Sequence, residues 1–388
     1  MKSGYKQLGE YIEEVTRTNS DLKYGIDDVR GCSNTKKMMQ TRANLIGRTY
    51  EKFLVLKPGE FVFNRRTSRN GEKIGMAYND TDREYIFTED YVAFRVKDEC
   101  LSDLLPEYLY LFFCRSEFDR YARYKSTGSA TEFFNWEDMC AVPFTAPDIE
   151  EQKKIVHAYK VIEDRINLKK RINENLEATA REIFKSYFVT YEQFGGHCPP
   201  DWKLVTVGDV VSVSRGASPR PIHEYLCDEG MPWVKISDAS ASSSKYLFST
   251  VECITHDGVA SSRVVTPGMM IVSNSASPGL PMIIEITACV HDGWLIIDNY
   301  QHVTKEYMYY YFLNERQNLV SSSNGSVFNN LKTDIVKNHP LLLPDGKTLS
   351  VVTSKFCKLN KRIKSNAQEI ETLRVLQTTI LTGLQQTK

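Results

Sequence analysis

The sequence predicts an α+β protein made of two similar domains, each followed by a long helix. Three observations lead there. The chain has 388 residues, more than one hydrophobic core ordinarily organises. Several stretches recur in the same order at nearly constant offset. Each copy then closes in a helical segment with a sustained seven-residue apolar repeat.

Composition sets the class. At 41% hydrophobic and 25% charged residues the chain reads as globular rather than disordered. No apolar run reaches the roughly 18 residues that a membrane-spanning helix needs. The opening "MKSGYKQLGEYIEE" lacks the apolar core of a signal peptide. The 9 cysteines are scattered and never form a C-x-x-C pair. They are expected as reduced thiols, mostly buried, in a cytoplasmic protein. Formal net charge is zero, which weighs against a lone nucleic-acid binder, because phosphate neutralisation favours a basic surface.

The repeat begins near the start. "LGEYIEEVTR" from Leu8 lies over "VGDVVSVSRG" from Val207, and "LKPGEFVFNRR" from Leu56 over "VTPGMMIVSNS" from Val265. "EYLYLFF" from Glu107 lies over "EYMYYYF" from Glu306. An offset of 197 residues then carries "GSATEFFNWEDMCAVPF" from Gly128 onto "GSVFNNLKTDIVKNHPL" from Gly325. Each copy has short strand-like runs punctuated by Gly and Pro: "FVFNRR", "KIGMAY" and "YVAFRV" in one, "MMIVSNS", "MIIEI" and "GWLII" in the other. An aromatic helix follows, "PEYLYLFFCRSEFDRYARY" or "KEYMYYYFLNERQNLV", then a Gly-Ser turn, then the long helical segment.

That segment is the most regular feature. Ile155, Tyr159, Ile162, Ile166, Lys169, Asn173, Leu176, Ala180, Ile183 and Tyr187 alternate in steps of 4 and 3. The offset of 197 carries them to Val352, Phe356, Leu359, Ile363, Asn366, Ile370, Leu373, Gln377, Ile380 and Leu384. Such a period predicts a long helix packed on another long helix, with the polar Lys169, Asn173 and Asn366 fixing register. Two helices lying separately on their own domains is the alternative. Asp148 in "PDIEEQKK" is the expected N-cap, with Glu151 at the capping-box position. The expected boundaries are a first domain over 1–147, a helix over 148–195, a second domain over 196–345 and a helix over 346–388.

The paired "PG" strands, the Gly128-Ser129 and Gly325-Ser326 turns, "DIEEQKKIVHAYKVIEDRINLKKRINENLEATAREIF", "SRGASPRPIHEY", "GMPWVKISD" and "HDGWL" resemble the DNA specificity subunits of type I restriction–modification systems. The likeness covers nearly the whole chain and rests on the order and duplication of these motifs. It implies two target-recognition domains and two spacer helices paired as an antiparallel coiled coil with pseudo-two-fold symmetry. Each domain would read one half of a split DNA site. The subunit would be non-catalytic and would recruit methyltransferase (modification) subunits, two of them, and a translocating restriction subunit. S-adenosylmethionine would belong to the methyltransferase, and ATP and magnesium to the nuclease. None is expected on this chain.

Candidate DNA contacts follow from residue chemistry. "FNRRTSRNGEKIG" places Arg65, Arg66, Ser68, Arg69 and Lys73 around a turn at Asn70-Gly71. Arginine pairs bidentately with guanine and asparagine with adenine; a solvated loop is the competing reading. Arg120, Arg123 and Lys125 near the end of the aromatic helix suit the helix dipole or the first half-site. Ser126, Ser129, Asn324 and Ser326 around the two Gly-Ser turns offer hydroxyl and amide groups to phosphates. In the second copy the counterparts are Arg215, Ser218 and Arg220 in "RGASPRP", Lys235 and Ser237 in "WVKISD", and Asn274 and Ser275 in "SNSAS". "HDGW", His291 to Trp294, reads as a tight Asp-Gly turn beside a buried tryptophan.

Enzyme signatures are weak. "GKT" at Gly346 lacks the upstream glycine of a P-loop, and no G-x-G-x-x-G occurs. "CPPD", Cys198 to Asp201, is not the motif of adenine methyltransferases, and the 7 histidines show no metal-ligand spacing. A coiled-coil scaffold with protein-binding domains, or an enzyme with an unrecognised site, remain the alternatives to a DNA reader.

Overall fold

The computed structural model describes residues 6–41, 44–67, 73–128, 131–322 and 330–384. The chain divides into two compact units, Met1–Asp164 with Arg374–Lys388, and Arg165–Leu373.

The first unit is organised by Phe61–Asn64, whose first three side chains are all buried, as expected of a strand covered on both faces. Antiparallel neighbours flank it, Met76–Tyr78 on one side and Tyr91–Val96 on the other, and Ile12–Val15 continues the sheet beyond Tyr91–Val96. Helix Pro106–Phe113 packs on it through Tyr108, Leu109, Phe112 and Phe113. The core is aromatic: Phe61 stacks on Phe94 at 5.0 Å, and Phe113 meets Phe118 edge-on at 4.7 Å. Each such ring removed from water contributes roughly 1.5–3 kcal/mol. A two-stranded ribbon, Leu54–Leu56 with Tyr85–Phe87, covers a second, smaller cluster.

The second unit repeats the scheme. Ser212–Arg215, Trp294–Asp298, Met270–Ser273 and Pro281–Ile284 form the same order of antiparallel strands, extended by Tyr246–Leu247. Its second sheet is larger, five strands built on Met231–Val234 and Ala288–Val290. The two copies also close alike. Lys6–Gln7 pairs with Pro143–Phe144, and Lys203–Thr206 with Pro340–Leu343. Leu8 N–H donates to Val142 O at 2.9 Å, and Val207 N–H to His339 O at 3.0 Å.

Each unit leads into a long helix, Ile149–Phe188 or Gly346–Gly383. Asp148 caps the first: its Oδ1 accepts from Glu151 N–H at 2.9 Å. Asp345 caps the second through Thr348 N–H, also at 2.9 Å. These capping residues are again 197 apart. All the named seam residues are buried or half-buried. Within the second unit, Lys169 Nζ donates to Asn366 Oδ1 at 3.1 Å and Asn366 Nδ2 to Asn173 Oδ1 at 2.8 Å. Asn173 Nδ2 donates to the Ile363 carbonyl at 3.2 Å, and Arg165 and Lys169 both reach Glu369. Along these contacts one residue number rises as the other falls.

Two expectations need correction. The aromatic helix of the first copy is two helices, Pro106–Phe113 and Ser116–Lys125, whereas its counterpart Lys305–Ser322 is continuous. Arg115 is extended at the break, and its guanidinium lies over the Phe112 ring. The cysteines are also less buried than expected. Cys289 alone is fully buried, and Cys198 and Cys357 are exposed, on the loop after one long helix and the outer side of the other. No helix among the described residues is long and apolar enough to cross a membrane.

Candidate nucleic-acid interface

In the first unit the arginine segment and the Gly-Ser turn are neighbours. Arg66 bridges Phe133, and Phe133 bridges Thr127, so three short segments lie side by side. Gly128 has φ +146°, and a Cβ there would sit 2.0 Å from Thr131 O, so only glycine fits. Phe134, fully buried, anchors the segment after the turn, and its N–H donates to Arg65 O at 2.9 Å. Thr67 N–H donates to Glu132 O at 3.0 Å.

The chain re-enters the sheet after the arginine loop through a buried clamp. Lys36 forms an ion pair with Asp119, donates to Ile74 O at 2.8 Å, and Ile74 N–H donates to Asp119 Oδ1 at 3.1 Å. Burial pulls the Lys36 pKa down, and the Asp119 carboxylate partly offsets this. Ser68, Arg69 and the Asn70-Gly71 turn lie outside the described residues, as do Ser129, Asn324 and Ser326.

Three of the cations named from sequence carry acidic partners. Arg66 pairs with Asp90 at 3.0 Å, Arg123 with Glu132 at 3.0 Å, and Arg120 with Glu117 at 3.1 Å. Lys125 lies over Tyr121 and Tyr124, and Lys73 is exposed. The Ser126 hydroxyl donates to Ala122 O at 2.7 Å, so its proton is engaged at the helix end. Arg65 is half-buried, and its Nε is buried with no hydrogen-bond partner among the described residues.

In the second unit four of the named residues converge on one aspartate. Arg220 reaches the Asp292 carboxylate at 3.0 Å and Arg215 at 3.9 Å, while the Ser218 hydroxyl donates to Asp292 Oδ1 at 2.9 Å. Arg215 Nε at 2.8 Å and Asn274 Nδ2 at 2.9 Å donate to the Asp292 backbone carbonyl. Burial works against the ionised carboxylate, but Ser218, Arg220 and Arg215 outweigh it and hold the Asp292 pKa below the usual range. The turn itself is closed by Trp294 N–H donating to His291 O at 3.1 Å, with Trp294 fully buried. Burial lowers the His291 pKa, and the neighbouring Asp292 carboxylate partly offsets this. Lys235 pairs with Glu252, Ser237 is exposed, and Ser275 is half-buried.

Arg65 and Asn274 occupy matching places. Each follows the central strand, and each backbone carbonyl accepts from the residue that leads the segment after the Gly-Ser region, Phe134 N–H or Leu331 N–H at 2.8 Å. Asn274 is 4% exposed, and its Oδ1 is also buried with no hydrogen-bond partner among the described residues. The sequence reading missed the acidic partners, Asp90, Glu132, Glu252 and Asp292. Asp292 was visible in "HDGW", but its pairing depends on strands far apart in the chain. No cluster of His, Cys, Asp and Glu able to hold a metal is present among the described residues.

The model of the type I restriction modification DNA specificity domain matches residues 27–178 and 199–374, one match per copy. A curated relative, the MjaIX type I restriction enzyme specificity subunit of Methanocaldococcus jannaschii, is 23% identical over 304 residues, 72% of this chain and 68% of that protein. The HindI specificity subunit of Haemophilus influenzae is 27% identical over 139 residues, 35% of this chain and 29% of its own length. A solved type I restriction–modification S subunit from M. genitalium shares the fold at a TM-score of 0.58 and 12% identity, covering 98% of this chain and 95% of that one. With two family matches laid over two copies of one scaffold, this chain belongs to the type I restriction–modification DNA specificity family.

Proposed function

We propose that the chain reads a DNA site in two parts, one per unit, and directs modification and restriction subunits to it. The observation that carries this is the matched placement of Arg65 and Asn274: two copies of one scaffold present different polar groups at the same point. Arginine donors suit the O6 and N7 of guanine, and an asparagine amide suits adenine once Asn274 Nδ2 leaves the Asp292 carbonyl. Arg66, Arg69, Lys73, Arg120, Arg123, Lys125, Arg215, Arg220 and Lys235 are the proposed surrounding contacts to phosphates and bases. Ser68, Ser126, Ser129, Ser218, Ser237, Ser275, Asn324 and Ser326 complete that set.

The long helices serve as an antiparallel coiled coil with pseudo-two-fold symmetry. Lys169 and Asn366 support this, since they are hydrogen-bonded to each other and separated by the repeat offset itself. Near a two-fold axis equivalent positions face one another. The helix Ile149–Phe188 has 40 residues, about 60 Å at 1.5 Å per residue. Half-sites on one face of B-DNA lie roughly 35 Å apart, so the helices are long enough to set the gap. The chain acts in the cytoplasm as a non-catalytic member of a complex with two modification subunits and a translocating restriction subunit. S-adenosylmethionine, ATP and magnesium are held by those partners.

The test is to exchange residues 1–147 for the matching part of a relative and sequence the methylated bases of cells carrying the hybrid. One half of the motif should change while the other stays. If both halves change together, the two units do not read separately. If methylation is untouched, the chain is a scaffold rather than a reader.

A further inference from the structure

Accepting the DNA-reading role just proposed, we infer that Asp292, and Asp90 at the corresponding corner of the first unit, are built-in counter-ions of the reading faces. Each holds an arginine in the free chain and must release it to DNA, which suppresses binding to wrong sequences.

Geometry places both at one structural position. Ser273 pairs with Trp294, and Asn64 with Tyr91. The aspartates lie in the turns just before those matched strand starts. Each meets a cation next to a matched polar position: Arg66 follows Arg65, while Arg215 and Asn274 share the Asp292 carbonyl. The pairs are open to solvent, with Arg220 76% and Arg66 47% exposed at the side chain, so an incoming phosphate can reach them.

The consequence is physical. On any duplex, a phosphate can only replace a carboxylate that already neutralises the guanidinium, and the freed carboxylate then lies beside the polyanion. Random sequence gains little from that exchange. At the right site, hydrogen bonds to base edges are added and the exchange is favourable. The aspartates neutralise Arg66, Arg215 and Arg220 locally, which is in keeping with a chain of zero formal net charge. A neutral amide at position 292 keeps the backbone carbonyl that orients Arg215 and Asn274, and removes the charge alone.

The experiment uses the full chain and mixed-sequence duplex DNA across a salt series. Asp292→Asn and Asp90→Asn are compared with Asp201→Asn, a charge-matched change at an exposed position. Both aspartate variants should bind this DNA about two- to fivefold more tightly than the Asp201→Asn chain, as expected for release of an exposed ion pair. Their plots of log K against log salt should steepen by about one unit, for one more phosphate neutralised. In cells, methylation away from the motif should rise relative to methylation at it. Variants that match Asp201→Asn in affinity and salt slope overturn the counter-ion role and leave the reading role standing. An unsubstituted chain that binds no duplex DNA at low salt removes the reading role, and the counter-ion role with it.

Discussion

The two units share their closure and differ at their ends. Leu8 to Val142 and Val207 to His339 are the same hydrogen bond, and Phe134 to Arg65 and Leu331 to Asn274 are another. Around this common frame the first unit has two two-stranded ribbons, Arg30–Cys32 with Met38–Gln40 and Leu54–Leu56 with Tyr85–Phe87, where the second has a five-stranded sheet. Its helix is broken at Arg115 where the second unit has the continuous Lys305–Ser322. Its polar end is rich in arginine, while the second gathers Arg215, Ser218, Arg220 and Asn274 on Asp292. The difference separates the parts that bear on folding from the parts proposed for recognition. Backbone closure is common to both copies, and side chains beyond the strand ends are not.

The largest effect should come from the paired anchors. Phe134→Ala removes a fully buried ring and should cost about 3–5 kcal/mol. Leu331→Ala, 1% exposed at the matched position, should cost about 2–5 kcal/mol. Urea unfolding measures both, and methylome sequencing should show each weakening a different half of the motif. If either change weakened both halves equally, the shared frame would be one cooperative structure rather than two.

A smaller loss is expected at the seam. Asn366 is 1% exposed and links Lys169 to Asn173. Asn366→Ala removes the donor to the buried Asn173 Oδ1, while Lys169 keeps Glu369 and Asn173 Nδ2 keeps the Ile363 carbonyl, and should cost about 1–3 kcal/mol. Lys169→Ala at the equivalent position should cost less, because the Asn366–Asn173 bond survives. Equal losses in denaturant midpoints would contradict the asymmetry of this network.

The reading positions sharpen the comparison more directly. Arg65→Ala and Asn274→Ala should each lower discrimination by about 1–3 kcal/mol, one in each half of the motif. Competition binding against singly altered sites checks this. A uniform drop across all sites, with a shallower salt slope, would make them phosphate contacts instead.

The smallest effect is a pH dependence peculiar to the second unit. Hydrogen bonding from His339, and then from Asn318 and Asn314, lowers the Glu315 pKa from 4.5 to about 2. With Glu107 laid over Glu306, the matched position in the first copy is Ser116. A folded pKa below the unfolded one stabilises the fold above the unfolded value. That contribution is lost as pH falls from about 4.5 toward 2. Glu315 is partly exposed, so solvent screening keeps the effect below about 1 kcal/mol. Denaturant midpoints of the native chain and of Glu315→Gln should therefore converge at the acid end of that window. Curves that stay parallel would show that the glutamate adds no pH-linked stability.

Part of the architecture is legible in the sequence. The strand runs around Phe61, Met270 and Trp294, the cap at Asp148 and the seam through Ile166 and Ile363 are set by local patterns, and those patterns were visible. The helix break at Arg115 was not. Its signal is tertiary: the guanidinium over Phe112 and its bond to Leu384 O at 3.4 Å come from packing rather than propensity. The acidic partners of Arg66 and Arg220 are likewise hidden, because Asp90 and Asp292 are 24 and 72 residues from them.

The sequence alone determined the duplication, three of the strands in each copy and the presence of two long helices. Periodicity and offset encode these directly, since side-chain spacing along a strand or helix is a property of the local backbone. Tertiary structure decided which polar groups meet. Sheet register brings Arg65 to Phe134 and Asn274 to Leu331, and turn geometry gathers Arg215, Ser218 and Arg220 on Asp292. Such pairings depend on distances in space between residues far apart in the chain, and no local pattern of residue types carries that information.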